Sequence, residues 1–198
     1  MRFFINNLKK ASLCIFGVAL TWVLFFKLNT FVFSYFEQSQ FVNWIFMPAG
    51  IRLLAVLLFD EYAAIGLFIG ALITSPELST NITESLVISL ISALNPYIAI
   101  HITKRLLKVD NPLARLHAKE LLLIAVFSAA FNCLSHHLYF YLVALKASWP
   151  NCLTMFIGDL LGITITFMFF NMVLKFIRKS TLATAQEEPN NYEDISRY

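Results

Sequence analysis

The chain has 198 residues, of which 59% are hydrophobic, 15% aromatic and 14% charged, and its formal net charge is +3. Soluble domains usually carry about 45–50% apolar and about 25% charged residues, so this composition indicates an integral membrane protein. We expect one helical bundle and no sizeable soluble domain. The basic residues cluster at membrane edges instead of forming one stripe, which argues against a nucleic-acid partner.

Six apolar segments are long enough, or nearly so, for the roughly 20 residues that a helix needs to cross a bilayer. They cover residues 11–36, 41–59, 62–76, 84–103, 119–145 and 151–175. The first follows a basic N-terminus without a small-residue cleavage site, which predicts a retained helix. The third is short and could be tilted, re-entrant or merged with its neighbour. We therefore predict an all-α polytopic bundle over residues 1–179 and a disordered cytoplasmic tail over 180–198.

The stretch 43–74 contains the features around which we expect the bundle to be organised. It reads as two membrane-crossing segments joined by a tight acidic corner at Asp60-Glu61. The first segment contains a Pro48-Ala49-Gly50 break and then Arg52. Proline leaves a helical carbonyl unpaired, and a guanidinium in hydrocarbon costs at least a few kcal/mol. We expect this segment to pack against other helices or to line a cavity.

Lysine and arginine predict the orientation. They precede the first span at Lys9 and Lys10, fill the loop 104–119 and follow the sixth span at 175–179. The other connections are acidic or nearly neutral. Because basic loops stay in the cytoplasm, six spans place both termini there. This predicts a multi-pass protein of the bacterial inner membrane, with the lipid bilayer as its first partner.

The sequence gives little support for an enzymatic function. Cys14, Cys133 and Cys152 are scattered without a metal-ligand spacing, so we interpret them as small hydrophobic residues inside helices. The adjacent His136 and His137 would point to different sides of a helix, which disfavours a shared metal site. The sequence has no HExxH and no GxSxG motif. We predict no catalytic residue, no metal and no cofactor, with an intramembrane hydrolase as a minor alternative.

Ionisable side chains inside the spans indicate a polar layer. At 1.5 Å per helical residue, Lys27 lies roughly 24 Å above the inner end of its span and His136 and His137 about 25 Å. Asp159 lies about 12 Å below the outer end of its span, which is a similar level. Asn132 is one turn from His136 and shares its face.

Arg52 lies lower, on the order of 10 Å above the inner end of its span. A direct contact between Arg52 and Asp159 would therefore need a register shift of the broken helix. Trp44 and Trp149 are typical of interfacial anchors, and Asn95-Pro96 predicts a kink.

Two interpretations of this polar layer remain open. In the functional one, a cavity facing the outside binds a small polar or anionic ligand or senses protons; its candidate residues are Arg52, Asn132, His136, Asp159 and Lys27. In the structural one, Lys27 extends outward to the interface, the histidines cap an outer surface, and an Arg52–Asp159 ion pair only connects helices.

The spacing of tryptophan, proline and glycine resembles a known family. The motif residues are Trp44, Pro48, Gly50, Gly66, Gly70, Gly158 and Gly162. They are similar to the W-x-P-x-G…G…G and Gly-Asp-x-x-Gly signatures of the membrane-associated sensor domain of the first MASE type. The stretch around Pro48 also resembles the membrane half of hexose-phosphate-responsive sensor kinases. A separate feature, Gly66-x-x-x-Gly70, predicts close helix packing.

This resemblance implies a multi-helix membrane unit that senses a signal for a fused histidine kinase or cyclic-di-GMP enzyme. The family commonly has about eight spans, whereas this sequence predicts about six and no output domain. We therefore expect a stand-alone sensor-like protein that binds a ligand or a partner membrane or signalling protein. The partner would bind the basic loop 104–119 or another helix. The alternatives are a substrate-binding transporter subunit, similar to the S-components of vitamin transporters, and a structural assembly factor.

Overall fold

The computed structural model of the chain describes residues 2–39, 42–77, 81–108, 117–144 and 148–187. Within these residues the chain forms an all-α bundle with one small hairpin. The helices are α1 (Arg2–Phe33), α2 (Pro48–Phe59), α3 (Glu61–Thr74), α4 (Ile82–Leu107), α5 (Ala118–Tyr139) and α6 (Trp149–Glu187). The hairpin is formed by the antiparallel strands β1 (Glu37–Ser39) and β2 (Val42–Asn43).

Four of the helices are long and apolar enough to cross a membrane. The apolar spans cover Lys9–Phe36, Ile82–Leu106, Ala118–Val143 and Trp149–Thr181. The other two, α2 and α3, have 12 and 14 residues. They are therefore about 18 and 21 Å long, shorter than the roughly 30 Å hydrocarbon core. The structure thus combines four long helices with two short ones where the sequence predicts six spans.

The second predicted span is only partly helical. Its first part is β2 and the non-helical stretch Trp44–Met47, and α2 begins at Pro48. Proline suits the first helical position because its fixed φ is helical and its missing N–H would be unpaired there. Pro48 therefore starts a helix, and the prediction that it breaks one was wrong.

Several backbone groups of this non-helical stretch are paired inside the protein. The N–H of Phe46 donates to the carbonyl of Gly158 at 3.1 Å, and the N–H of Met47 donates to Oδ1 of Asn29 at 2.8 Å. The carbonyl of Met47 accepts from the hydroxyl of Thr166 at 3.0 Å. Irregular backbone is tolerated at membrane depth where neighbouring elements satisfy it in this way.

The glycines of α3 pack against α1. A Cβ added at Gly66 would lie 2.7 Å from the carbonyl oxygen of Ile15, and one at Gly70 would lie 2.8 Å from the ring of Trp22. The matching order of contacts shows that α1 and α3 run parallel. The predicted close packing of the Gly66-x-x-x-Gly70 motif is confirmed.

The glycines of α6 pack against the non-helical stretch instead of another helix. A Cβ at Gly158 would overlap the carbonyl oxygen of Asn43, and one at Gly162 would overlap that of Phe46. Gly50, in the first turn of α2, similarly leaves room for the side chain of Thr166. These positions explain in steric terms three of the motif glycines.

The predicted corner between the second and third segments is confirmed at Asp60. This residue has a φ of 49° and separates α2 from α3. Its Oδ1 lies 3.5 Å from Nε2 of His101, which is close to the end of α4. We call this end of the bundle, with Lys9, Lys10 and Lys104, the basic end, and the opposite end the hairpin end.

At the basic end, α6 continues as a helix to Glu187, past the boundary predicted at residue 180. Residues 188–198 of the predicted tail, and the turn predicted at Asp110-Asn111-Pro112, lie outside the described residues. The apolar core is centred on fully buried side chains from four helices: Leu53, Leu67, Ile100 and Ile124.

Candidate functional site

A buried ion pair connects the short helix α2 to α6. Nη2 of Arg52 donates to both carboxylate oxygens of Asp159, at 3.2 Å and 3.1 Å. The two residues are only 4% and 2% exposed. Breaking such a pair by removing one partner leaves an uncompensated buried charge, so each residue constrains the other.

Two asparagines extend this pair to α4 and α5. Oδ1 of Asn132 accepts from Nη1 of Arg52 at 3.0 Å, and its Nδ2 donates to Oδ2 of Asp159 at 2.7 Å. Asn95 donates to the same Oδ1 of Asn132 at 3.2 Å. We call Arg52, Asn95, Asn132 and Asp159 the polar cluster. It links α2, α4, α5 and α6 through one ion pair and the hydrogen bonds around it.

Aromatic rings cover the guanidinium of Arg52. Its Cζ lies 5.8 Å from the ring centroid of Trp22 and 5.5 Å from that of Phe46. Trp22 is oriented by its indole N–H, which donates to the hydroxyl of Thr74 at 3.1 Å. Cation–π attraction is strongest away from water, so these rings stabilise the charge without neutralising it.

The direct Arg52–Asp159 contact corrects the depth estimate made from sequence, and no register shift is involved. That estimate placed the inner ends of all spans at one level. In the structure, α2 ends beside His101, which is six residues before the end of α4 at Leu107. Arg52 is therefore higher in the bundle than a count from a common inner surface predicts.

The two adjacent histidines have different surroundings. Nδ1 of His136 faces the carbonyl oxygen of Asn132 at 2.9 Å, and its Nε2 lies 3.5 Å from the hydroxyl of Ser92. His137 instead contacts Ser148. Its Nε2 lies against the carbonyl oxygen of Ser148 and 3.2 Å from the backbone nitrogen of that residue. His136 thus belongs beside the polar cluster, whereas His137 connects α5 to the start of α6.

A cavity of about 210 Å³ lies above the polar cluster and extends toward the hairpin end. Its floor includes Arg52, Asn132 and Asp159, and its mouth includes Glu37 and Asn43. The wall between them is formed by aromatic residues of α1 and by hydroxyl and imidazole groups of α4 and α5. The members of this wall that matter below are Trp22, Phe26, Ser89, Ser92 and His136.

Ser89 is the polar group in this wall that the bundle leaves unsatisfied. It is 1% exposed, and its Oγ has no hydrogen-bond partner among the residues that the structure describes. A buried hydroxyl without a partner costs about 1–3 kcal/mol. A polar molecule in the cavity would supply the missing hydrogen bond.

Of the five residues that the sequence predicts as ligand-binding, the structure brings four together. Arg52, Asn132, His136 and Asp159 line the cavity, whereas Lys27 is exposed on α1 and is not a lining residue. Of the two tryptophans predicted as anchors, Trp44 donates to Gln38 in the hairpin at 3.0 Å, and Trp149 is 80% exposed at the start of α6.

Sequence reasoning missed the contribution of α4. The pair Asn95-Pro96 predicts only a kink, whereas Asn95 hydrogen-bonds Asn132 and two serines before it line the cavity. Ser85, Ser89, Ser92 and Asn95 recur at steps of four, three and three residues, which places them on one helical face. This polar stripe in an apolar segment was the available signal. Trp22 and Asn29 of α1 also line the cavity, but the sequence around them shows no comparable polar stripe.

Two of the three cysteines lie together near the hairpin end. Cys133 and Cys152 are buried with Val42 and Met155 in a small apolar cluster, and both are free thiols. This placement agrees with their interpretation as small hydrophobic residues.

The architecture and the candidate site define a broad class. Long apolar helices surround the non-helical stretch, a buried ion pair and a polar cavity, and this combination is that of a membrane protein with an internal polar cavity. A match to a known protein family identifies the chain more closely. The model of the MASE1 family matches residues 11–190, so the chain belongs to this family of membrane-associated sensor domains. No curated protein and no solved structure matches the chain.

Proposed function

We propose that this MASE1 protein senses a small polar ligand that enters the cavity from the hairpin end and contacts the polar cluster. The observation that carries the proposal is the hydroxyl of Ser89, which has no partner among the described residues and lies in the wall of a cavity whose floor is a buried Arg52–Asp159 pair. Intramembrane ionisable groups around such a space mark functional sites by default. We propose no catalytic role for these residues.

The signal would pass through α2. This helix begins beside the cavity and ends at the Asp60 corner, at the basic end. Arg52 is one of its residues, so a ligand that changes the contacts of Arg52 also biases the position of the corner. A coupling of this kind needs a ligand that interacts differently with two positions of the helix.

The orientation and the partner belong to the same proposal. The basic residues favour placing the basic end in the cytoplasm of a bacterium and the hairpin end outside its inner membrane. A partner membrane or signalling protein would then bind the Asp60 corner or the loop 104–119 from the cytoplasmic side. Substrate uptake is the competing function, because broken crossings beside a binding site are also typical of transporters.

Thermal unfolding of the purified protein in nanodiscs tests ligand binding. The panel contains uncharged solutes (myo-inositol, glucose, nicotinamide), zwitterions (glycine, proline), anions (inorganic phosphate, citrate) and the cation choline. We expect at least one solute to raise the melting temperature of the wild type. The replacement Ser89→Ala should weaken the binding of that solute about tenfold, because one hydrogen bond is lost. The matched control Ser180→Ala changes a serine near the basic end and should leave the response unchanged.

Hydrogen exchange tests the relay. The bound solute should change amide exchange at residues 56–64, around the Asp60 corner, as well as at the cavity. Protection confined to the cavity would contradict the relay, and the absence of any melting shift across the panel would contradict ligand binding itself. Accumulation of the solute inside proteoliposomes would instead favour uptake.

A further inference from the structure

The charges that line the cavity are unfavourable for an anionic ligand. Among the described lining residues the charged side chains are Glu37 at the mouth and Arg52 and Asp159 at the floor, with histidine counted as neutral. One positive charge is thus accompanied by two negative ones. Both oxygens of Asp159 lie within 3.2 Å of Arg52, so the carboxylate already occupies the position where an anion would bind the guanidinium.

Between the charged mouth and the charged floor, the polar groups that remain available in the wall of the cavity are uncharged. Ser89 contributes a hydroxyl without a partner among the described residues. Nδ1 of His136 faces a carbonyl, which only accepts, so in the neutral imidazole Nε2 is left as an acceptor. Its contact with the hydroxyl of Ser92 is long, at 3.5 Å. This set suits a ligand with both hydrogen-bond donors and acceptors.

The size of the cavity limits the ligand further. A volume of about 210 Å³ is smaller than the roughly 300–1,000 Å³ of sites for drug-sized molecules. At about 30 Å³ for each water in the liquid, it corresponds to roughly seven water molecules. The walls from α1 add the apolar rings of Trp22 and Phe26.

We infer that the cavity selects small uncharged ligands with hydroxyl or amide groups, and that Asp159 determines this selectivity by acting as an internal anion. The inference rests on the proposed function and specifies its ligand class. The carboxylate neutralises Arg52 and denies the guanidinium to phosphate or carboxylate groups. An isosteric neutral side chain at position 159 would therefore convert the same cavity into an anion site.

The test compares the response of wild type, Asp159→Asn and Asp60→Asn to inorganic phosphate by thermal unfolding in nanodiscs. Sodium chloride at equal ionic strength is the reference. Asp60→Asn is the matched control, because it removes the same charge from an exposed carboxylate at the basic end. We expect phosphate to raise the melting temperature of Asp159→Asn by about 2–4 °C more than that of the other two proteins.

Two results would overturn the inference. One is a phosphate response of the wild type equal to that of Asp159→Asn, which would mean that Arg52 is already available to anions. The other is a folded Asp159→Asn protein that does not respond to phosphate. In the solute panel, a wild-type response to phosphate, citrate or choline in preference to the uncharged solutes would also reject the ligand class while leaving ligand binding intact.

A second variant keeps the inference testable where Asp159→Asn does not fold. The double variant Arg52→Gln/Asp159→Asn has no buried charge at the floor of the cavity. We expect it to fold and to show a phosphate response no larger than that of the wild type, because the guanidinium that would bind the anion is absent. A phosphate response of the folded double variant above that of the wild type would show that loss of the carboxylate admits anions without Arg52, and would overturn the inference.

Discussion

The interface between α1 and α3 and the interface between α6 and the non-helical chain before α2 both depend on two glycines spaced four residues apart. On α3, Gly66 and Gly70 let a parallel helix approach closely, and their neighbours are the carbonyl of Ile15 and the ring of Trp22. On α6, Gly158 and Gly162 receive a non-helical stretch, and their neighbours are the carbonyls of Asn43 and Phe46. The same spacing thus serves two different backbones.

The difference lies in the polar residues beside the glycines. Apolar residues surround Gly66 and Gly70 on α3, and the interface of these glycines with α1 forms one side of the bundle. Asp159 follows Gly158 directly, so the surface that receives the non-helical stretch also carries the carboxylate that pairs with Arg52. We therefore propose that the glycine pair next to a buried charge marks the functional half of this bundle and that the pair without one marks the structural half.

The largest effect is expected at the charge itself. Arg52→Gln leaves the carboxylate of Asp159 buried with Asn132 as its remaining partner, and should lower the free energy of unfolding by about 3–5 kcal/mol. The double variant Arg52→Gln/Asp159→Asn removes both charges and should lie within about 1 kcal/mol of wild type. Unfolding by dodecyl sulfate in mixed micelles measures both. Equal losses in the single and double variants would contradict a charge-paired α2–α6 interface.

The glycines of α6 should give the next largest effect. In Gly162→Ala the new Cβ overlaps a backbone carbonyl, which cannot rotate away as a side chain can. We expect a loss of about 2–3 kcal/mol, together with loss of the solute response, because Phe46 also covers Arg52. Measurement of stability and solute response in the same preparation checks the two together. A stable variant with a normal response would mean that the non-helical stretch is free to move.

The glycines of α3 should give a smaller effect, limited to stability. Gly66→Ala introduces a contact of 2.7 Å with the carbonyl of Ile15 but also removes a flexible residue from a helix, so we expect a loss of about 1–2 kcal/mol. Gly17→Ala is the control, since a Cβ there meets nothing within 4 Å, and it should stabilise the protein by about 0.5–1 kcal/mol. A changed solute response in folded Gly66→Ala would argue against dividing the bundle into these two halves.

Much of the fold could be predicted because apolar segments and interrupting residues are local signals. The bundle, the corner at Asp60 and the close packing of Gly66 and Gly70 all follow from short stretches of sequence. The start of α2 at Pro48 could not, because a proline inside an apolar run is compatible with a kink and with a first helical turn. Only the hydrogen bonds of Phe46 and Met47 to other elements distinguish the two.

The sequence predicts the charged residues of the candidate site but only part of its geometry. Buried charges are costly anywhere in a membrane, so Arg52 and Asp159 were recognisable without a structure. Their contact depends on where α2 ends relative to α4, which is a tertiary property. Lys27 shows the opposite error: its depth matched the polar layer, but its direction around α1 leads away from the cavity.

The non-helical stretch between Asn43 and Pro48 has a consequence for how this protein tolerates changes in length. A residue inserted into a helix advances the chain by 1.5 Å and rotates everything beyond it by about 100°. A residue inserted into non-helical chain advances it by up to about 3.3 Å and imposes no fixed rotation on α2 beyond it. The number of residues in this stretch therefore sets the depth of the guanidinium, and lengthening it by one would separate Arg52 from Asp159 without altering either helix.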